Sequence, residues 1–370
     1  MMLLKASRLF DVSTGAVIYQ PFILINENRI IGVGQEDNRW LNELLQKFPD
    51  LQFLDLDNLT LLPGLIDCHT HITYSYGQGN ETLPLAIENA RQTLNSGFTT
   101  IRDEGCSNGT DIILRDQINN GTVVGPRILT SGVPILPRDV DRNEAYLVSN
   151  RFQQGSNHIK VFNSAPNGIP ELGVDQISEI VNTSRRFGLP VSVHAYEPET
   201  IVVSSGGGCN SIEHGSYLND YAANVMSRNR TVLVATLSLP HHYLNNRDKF
   251  NFDPETWKHF EKVASSNLHS VQLAKANGVP IIFGTDSVAG MHGHNANEFF
   301  WLMKAGLTPL EAIQSATINA GNFLKLPIGQ LRQGYYADII GVQGNPLEDI
   351  RALLPENVKF VMKDGRIVKM

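Results

Sequence analysis

From residue 61 to residue 286 the chain repeats one rhythm: a short apolar run closing on a polar residue, then a stretch with helical spacing. The runs are Leu61 to Asp67, Thr99 to Asp103, Arg127 to Ser131, Ile159 to Phe162, Pro190 to His194, Ser211 to His214, Val232 to Thr236 and Pro280 to Asp286. Strands that are apolar throughout are buried on both faces, and parallel strands need crossover helices, so the alternation predicts βαβ units in a parallel sheet. The intervals agree. Leu83, Ile87, Ala90 and Leu94 fall on one helical face before Gly97, and Thr308-Pro309-Leu310-Glu311 reads as a capping box with Pro at its first turn. Eight such units predict an α/β fold, a (β/α)8 TIM barrel over residues 60–328.

The chain ends are different. Ala16 to Tyr19, Phe22 to Ile25, Ile30 to Val33 and Phe53 to Leu56 are short apolar runs separated by turn residues, with a hairpin turn expected at Asn26-Glu27-Asn28. Asp338 to Val342, Val358 to Met362 and Ile367-Val368 repeat the style. Neither end has enough strands to bury a sheet face alone, so 1–59 and 329–370 are expected to form one small composite β-sandwich domain.

With 42% hydrophobic and 18% charged residues the chain can bury a large core. A net charge of −7 without a basic block argues against nucleic acid or an anionic membrane as partner. Cys68, Cys106 and Cys209 are odd in number and far apart, which offers no disulfide framework and suits a reducing compartment. Lys5 and Arg8 interrupt the short apolar stretch Met1 to Phe10, so no secretory signal is expected, and no run in the sequence reaches about 20 apolar residues. The expectation is a cytoplasmic protein acting on a small molecule or dipeptide, with a homo-oligomer left open.

Residues at the C-terminal ends of parallel barrel strands share one mouth. The first strand runs into His69-Thr70-His71, and a two-residue step on an extended chain points both histidines to one side. The fourth carries Lys160, the fifth ends at His194, the sixth at His214 and the eighth at Asp286. Singly these have ordinary readings: a hydrogen-bonded histidine, a buried ion-pair lysine, a helix-capping aspartate. Jointly, in this order and each at a strand end, they are a ligand set for zinc or a neighbouring divalent metal. Other features take the ordinary reading outright: His241-His242 as a solvated loop after the seventh strand, His259 and His269 on the outer face of a helix from Pro254 to Ala276, and Cys68 as packing.

Leu62-Pro63-Gly64-Leu65-Ile66-Asp67-Cys68-His69-Thr70-His71 resembles the opening motif of the amidohydrolase superfamily of metal-dependent hydrolases. Gly97-Phe98-Thr99-Thr100-Ile101-Arg102-Asp103, Gly125-Pro126-Arg127, Ile212-Glu213-His214-Gly215-Ser216-Tyr217-Leu218, Leu307-Thr308-Pro309-Leu310-Glu311-Ala312-Ile313 and Ala337-Asp338-Ile339-Ile340 are similar to the branch with imidazolonepropionase-like proteins and Xaa-Pro and Xaa-Arg dipeptidases. The resemblance implies two divalent metal ions, zinc by preference. His69 and His71 would bind one, His194 and His214 the other, with Asp286 beside the first and a carboxylated Lys160 bridging both. It further implies a metal-bridging hydroxide that attacks the amide carbonyl of a dipeptide, N-acyl amino acid or similar small amide, Asp286 passing the proton to the leaving amine. His292, in a turn like the family's His-Gly-x-Asn, and Tyr217 are candidates to contact substrate or the developing oxyanion. The chain departs from the branch between Val161 and Gly168, where a glycine-rich turn is usual, and in a short segment from Gly132 to Asn157; both fall where loops set specificity. The alternatives are a mononuclear cyclic-amide hydrolase or deaminase, which needs no lysine on the fourth strand, and a catalytically silent barrel with a binding role.

Overall fold

The computed structural model describes residues 1–35, 43–44, 46–74, 81–140, 143–165, 167–288 and 290–370. It divides into two compact units, one of Met1–Ile66, Gln92–Thr100 and Thr308–Met370, the other of Asp67–Arg91 and Ile101–Leu307.

The first unit is built on an eight-stranded sheet. Its spatial order is Arg366–Lys369, Val358–Lys363, Ile339–Gln343, Gln52–Pro63, Met2–Phe10, Pro21–Asn26 and Arg29–Gln35, with Val17–Tyr19 paired to Met2–Phe10. The chain ends meet where Ile339–Gln343 runs antiparallel to Gln52–Pro63. A two-residue turn, Glu27-Asn28, joins Pro21–Asn26 to Arg29–Gln35, with Glu27 at a φ of 53°. Leu4, Ile23, Leu61, Ile339 and Phe360, drawn from both ends of the chain, are completely buried in one core. Each such side chain contributes about 1.5–3 kcal/mol by leaving water.

The expected first barrel strand, Leu61 to Asp67, is divided in the structure. Leu61 to Pro63 finish the strand Gln52–Pro63 of the end-to-end sheet, and the barrel strand β1 is Leu65–Thr70. Pro63 has no amide hydrogen to continue a ladder, and at Gly64 a Cβ would stand 2.1 Å from Thr99 Oγ1, so only glycine passes there.

β1 is followed by β2 (Phe98–Asp103), β3 (Arg127–Thr130), β4 (Ile159–Phe162), β5 (Val191–Ala195), β6 (Ser211–His214), β7 (Val232–Val234) and β8 (Ile281–Ile282). β1, β2 and β3 form one sheet; β4 to β8 form a second, parallel throughout. Backbone hydrogen bonds link the sheets directly on one side and, on the other, tie β4 to Ile135, beyond the end of β3. Cys68 N–H donates to Phe283 O at 2.9 Å, while Ile135 N–H donates to Lys160 O at 2.8 Å and Phe162 N–H to Ile135 O at 2.9 Å. Helices fill the intervals; in Val174–Arg186, for example, Ile177, Ile180, Val181 and Ser184 face inward at the spacing of one helical stripe. β7 and β8 are shorter than Val232 to Thr236 and Pro280 to Asp286, ending at Val234 and Ile282, and beyond those ends Thr236 and Asp286 have left-handed φ of 50° and 57°.

The expected solvated loop at His241-His242 is a helix, Ser238–Asn245. Its N-terminal amides are satisfied from afar: Leu237 and Ser238 N–H donate to the buried Glu298 carboxylate at 2.8 and 2.7 Å. No helix among the described residues is long and apolar enough to cross a membrane.

Candidate metal centre and active-site cavity

The strand ends of the second unit bring His69, His71, Lys160, His194, His214 and Asp286 together. Ring centroids lie 5.5 Å apart for His69 and His71, 5.0 Å for His69 and His214 and 4.6 Å for His194 and His214. Three of the imidazoles are anchored through Nδ1. His69 Nδ1 is 2.6 Å from Glu213 Oε2, His71 Nδ1 is 2.9 Å from Gly105 O, and His214 Nδ1 is 2.7 Å from Thr236 Oγ1. Anchoring one ring nitrogen fixes orientation and tautomer and leaves Nε2 as the remaining donor atom. Asp286 Oδ1 is 3.4 Å from Nε2 of both His69 and His71. His69, His214 and Asp286 could together hold one ion.

The backbone is bent to do this. His214, Thr236 and Asp286, at the ends of β6, β7 and β8, all have left-handed φ, 73°, 50° and 57°. For a β-branched threonine that is a costly conformation, of the kind that persists where the surroundings over-determine it.

The charge states of His194, His214 and Asp286 fit ligands. Burial, with Lys160 and the other histidines adding to it, holds His194 and His214 well below the ordinary imidazole value, so both are neutral donors. His69 is pushed down by burial and Lys160, but Asp286 and Glu213 outweigh both and lift it to about 9, so this ring holds a proton at neutral pH that a cation taking its place must displace. Burial raises Asp286, and His69, His71 and Lys160 outweigh it, so the carboxylate is ionised. His69 Nε2, fully buried, has no hydrogen-bond partner among the described residues. An orphaned imidazole nitrogen beside a carboxylate and a second imidazole is what a divalent cation would satisfy, so the donor set fits one.

Beneath these residues lies a charged layer that the sequence reading missed. Arg102 donates from Nε to Cys68 O at 2.6 Å and from Nη2 to Glu213 Oε1 at 2.8 Å, and its Nε stands 3.0 Å from Glu104 Oε1. Glu104 Oε2 is 3.1 Å from Lys160 Nζ. Asp67 accepts from Thr285 Oγ1 at 2.7 Å and Asn295 Nδ2 at 2.8 Å and is raised to about 6 by burial. The available signal was a charged residue inside an otherwise apolar strand, as in Ser211-Ile212-Glu213-His214.

A cavity of about 1080 Å³ opens over the centre, with His71, Lys160, His194, His214 and Asp286 in its wall. Tyr196, just after β5, also lines it, stacked on His214 at 5.1 Å. His259, expected on an outer helix face, is instead in the wall, 5.2 Å from Tyr196, because the helix Pro254–Ala276 turns that face inward. Tyr217 and His292 are not among the lining residues. Tyr217 is half-buried behind Tyr196, with ring centroids 6.1 Å apart and Lys262 Nζ 4.6 Å from its ring. His292 is buried behind His71, its Nε2 3.3 Å from His71 O. Cys68 is buried, with its carbonyl bonded to Arg102 and no part in the cavity wall.

Comparison with known proteins agrees with this geometry. The profile of the Amidohydrolase family matches residues 60–368. An ochratoxinase of Aspergillus niger is 30% identical over 84% of this chain and 75% of its own length. An imidazolonepropionase of Idiomarina loihiensis is 23% identical over 91% of this chain and 89% of its own. Among solved structures, a Xaa-Pro dipeptidase with methionine bound in its active site superposes with a TM-score of 0.88 at 29% identity, covering 100% of both chains. The fold is accordingly of the TIM-barrel kind, with α/β content. The chain belongs to the amidohydrolase family and is a hydrolase of amide or peptide carbon–nitrogen bonds.

Proposed function

We propose that the protein is a binuclear metal-dependent amidohydrolase acting on small amides that carry a free carboxylate, such as dipeptides and N-acyl amino acids. The observation that carries the reading is the set of three imidazoles tethered through Nδ1 around Asp286, whose Oδ1 lies 3.4 Å from Nε2 of both His69 and His71. His69 and His71 would hold one ion, His194 and His214 the other, with Asp286 beside the first and a carboxylated Lys160 between them. Two divalent ions, zinc by donor type, would supply Lewis-acid polarisation of the amide carbonyl and a hydroxide nucleophile at neutral pH. The chain's own part is orientation and proton transfer. Asp286, ionised and fixed by its backbone N–H to His69 O at 2.7 Å, takes the proton of the attacking water on a carboxylate oxygen and gives it to the leaving amine. Tyr196 and His259 bound the space around the scissile group, while Tyr217 and His292 support that wall from behind. Arg138 and Arg151, in a wall that also holds Glu81, Asp139 and Glu255, would meet a substrate carboxylate, and Tyr74, Leu239 and Phe260 offer it an apolar face. In the same reading β1 to β8 close into one eight-stranded barrel within 60–328, and 1–59 with 329–370 make the accompanying β-sandwich.

Lys160 at the cavity favours this form over a one-metal cyclic-amide hydrolase or deaminase, which needs no such lysine. The test is a screen of dipeptides, N-acyl amino acids and the corresponding amides lacking a carboxylate against zinc-loaded protein. Hydrolysis of the first two groups, abolished by a chelator and restored by zinc, is expected. Activity confined to cyclic amides or aminated bases would overturn the reading.

A further inference from the structure

Glu104 is a buried carboxylate to which proton transfer assigns no task. It follows β2, is 0% exposed, and its backbone N–H donates to Thr70 O at 2.8 Å. Both oxygens face cationic or polar groups, and Oε2 alone accepts a hydrogen bond. Oε1 faces Arg102 Nε at 3.0 Å and His158 Nε2 at 3.2 Å; Oε2 accepts from Ser192 Oγ at 2.7 Å and stands 3.1 Å from Lys160 Nζ. Ser192 is the register partner of Lys160 across β5 and β4, so their side chains leave the sheet on the same side. Three strands thus hold one carboxylate oxygen against one lysine nitrogen, in a place where the chain could have used an apolar side chain at lower cost.

We propose that Glu104 is the positioning residue for Lys160. Its Oε2 accepts an Nζ–H and so turns the opposite side of the nitrogen toward the histidines. The inference rests on the carboxylated-lysine reading above. In that step the free amine of Lys160 attacks the carbon of dissolved carbon dioxide. The N–C bond forms, one C=O electron pair moves onto oxygen, and one N–H proton leaves to water. The nitrogen keeps a single hydrogen. Donated to Glu104 Oε2, that hydrogen fixes the plane of the new carboxylate and aims both its oxygens at the metal centre. The like charge of Glu104 is offset by the Arg102 guanidinium on its other oxygen.

The experiment loads the full-length protein with zinc and 13C-bicarbonate, then reads the carbamate carbon by 13C NMR and zinc per chain by elemental analysis. The parent should show the carbamate signal and two zinc ions. Glu104→Gln, which retains an acceptor oxygen, should keep the signal. Glu104→Leu should lose it and bind the second zinc about 10- to 100-fold more weakly, the range for a lost supporting partner. Should the leucine variant fail to fold, Ser192→Ala removes only the hydroxyl that steers Oε2 and should lower carbamate occupancy at limiting bicarbonate. A purely structural role would lower the melting temperature of these variants with the carbamate intact, and that result would overturn the proposal. A parent without a carbamate signal would overturn the carboxylated-lysine reading and this inference with it; a parent with the signal, unchanged in the leucine or alanine variant, would overturn the role of Glu104 alone.

Discussion

Replacing Glu213 by Gln probes the metal reading without touching a proposed ligand. The Glu213 carboxylate is fully buried, with Oε2 2.6 Å from His69 Nδ1 and Oε1 2.8 Å from Arg102 Nη2. Ser211 Oγ also donates to Oε1, and the amide of glutamine has one acceptor oxygen where the carboxylate has two, so the donors on one side must face an NH2 group. If the amide oxygen stays with Arg102, the Nδ1 anchor of His69 is lost and its Nε2 is no longer held on the metal axis. Losing such a partner costs about 10- to 100-fold in metal affinity, or about 1.4–2.8 kcal/mol. The fold should survive, because Arg102 keeps Glu104 at 3.0 Å and Cys68 O at 2.6 Å. A loss of about 1–3 kcal/mol is expected for one unmade buried hydrogen bond to a charged group. Zinc titration against a competing chelator reads the first quantity, and urea unfolding of zinc-free protein the second. Parent-like zinc affinity in a variant destabilised by this amount would refute the claim that Glu213 acts through His69 on a metal.

Asp286→Asn retains a ligand oxygen but cannot take up a proton, so zinc should be largely kept while turnover falls by about 10²- to 10⁴-fold; His69→Ala should lose zinc and turnover together. Measuring both on the same preparations separates the roles, and an Asp286→Asn enzyme within a few-fold of the parent would transfer the proton step to another base. Burial holds His292 down at about 4, below the ordinary value of 6.5. Below pH 6.5 the unfolded chain therefore binds a proton that the folded chain refuses, and stability should fall by on the order of 3 kcal/mol as pH drops from 6.5 to 4; His292→Gln should flatten that part of the melting-temperature profile, and an unchanged profile would contradict the assignment. At Gly284 a Cβ would stand 2.3 Å from Val234 Cγ1 and 2.9 Å from His69 Cβ, so Gly284→Ala should destabilise by about 1–3 kcal/mol and weaken zinc binding by displacing His69. A melting temperature equal to the parent's would count against that packing.

The strand-end residues could be read from the sequence because two local rules coincide there. Each run of apolar residues stops at a polar one, and alternation along an extended chain puts His69 and His71 on one side. The helix from Leu83 to Asn95 and the Thr308 capping box were legible for the same local reason, and both stand in the structure. What escaped depends on partners far away in the chain. The helix Ser238–Asn245 carries no capping residue of its own, since Glu298 supplies the acceptor. Leu61 to Pro63 read as barrel strand because the pairing that claims them, with Ile339–Gln343, lies at the other end of the sequence. Arg102, Glu104 and Glu213 looked like ordinary charged neighbours of a motif; only the convergence of β2, β4, β5 and β6 makes them one buried layer. His259 was misread because helical periodicity tells which face is polar, and here the polar face covers a cavity.

The central claim is a two-metal centre, and the most direct test is metal content per chain in active protein, by elemental analysis after loading with zinc and removing excess. The account predicts two zinc ions per chain, falling to one or none in His69→Ala, with amide hydrolysis rising in step with occupancy up to the second ion. Full activity at a single ion per chain, or in protein stripped of metal, would contradict it.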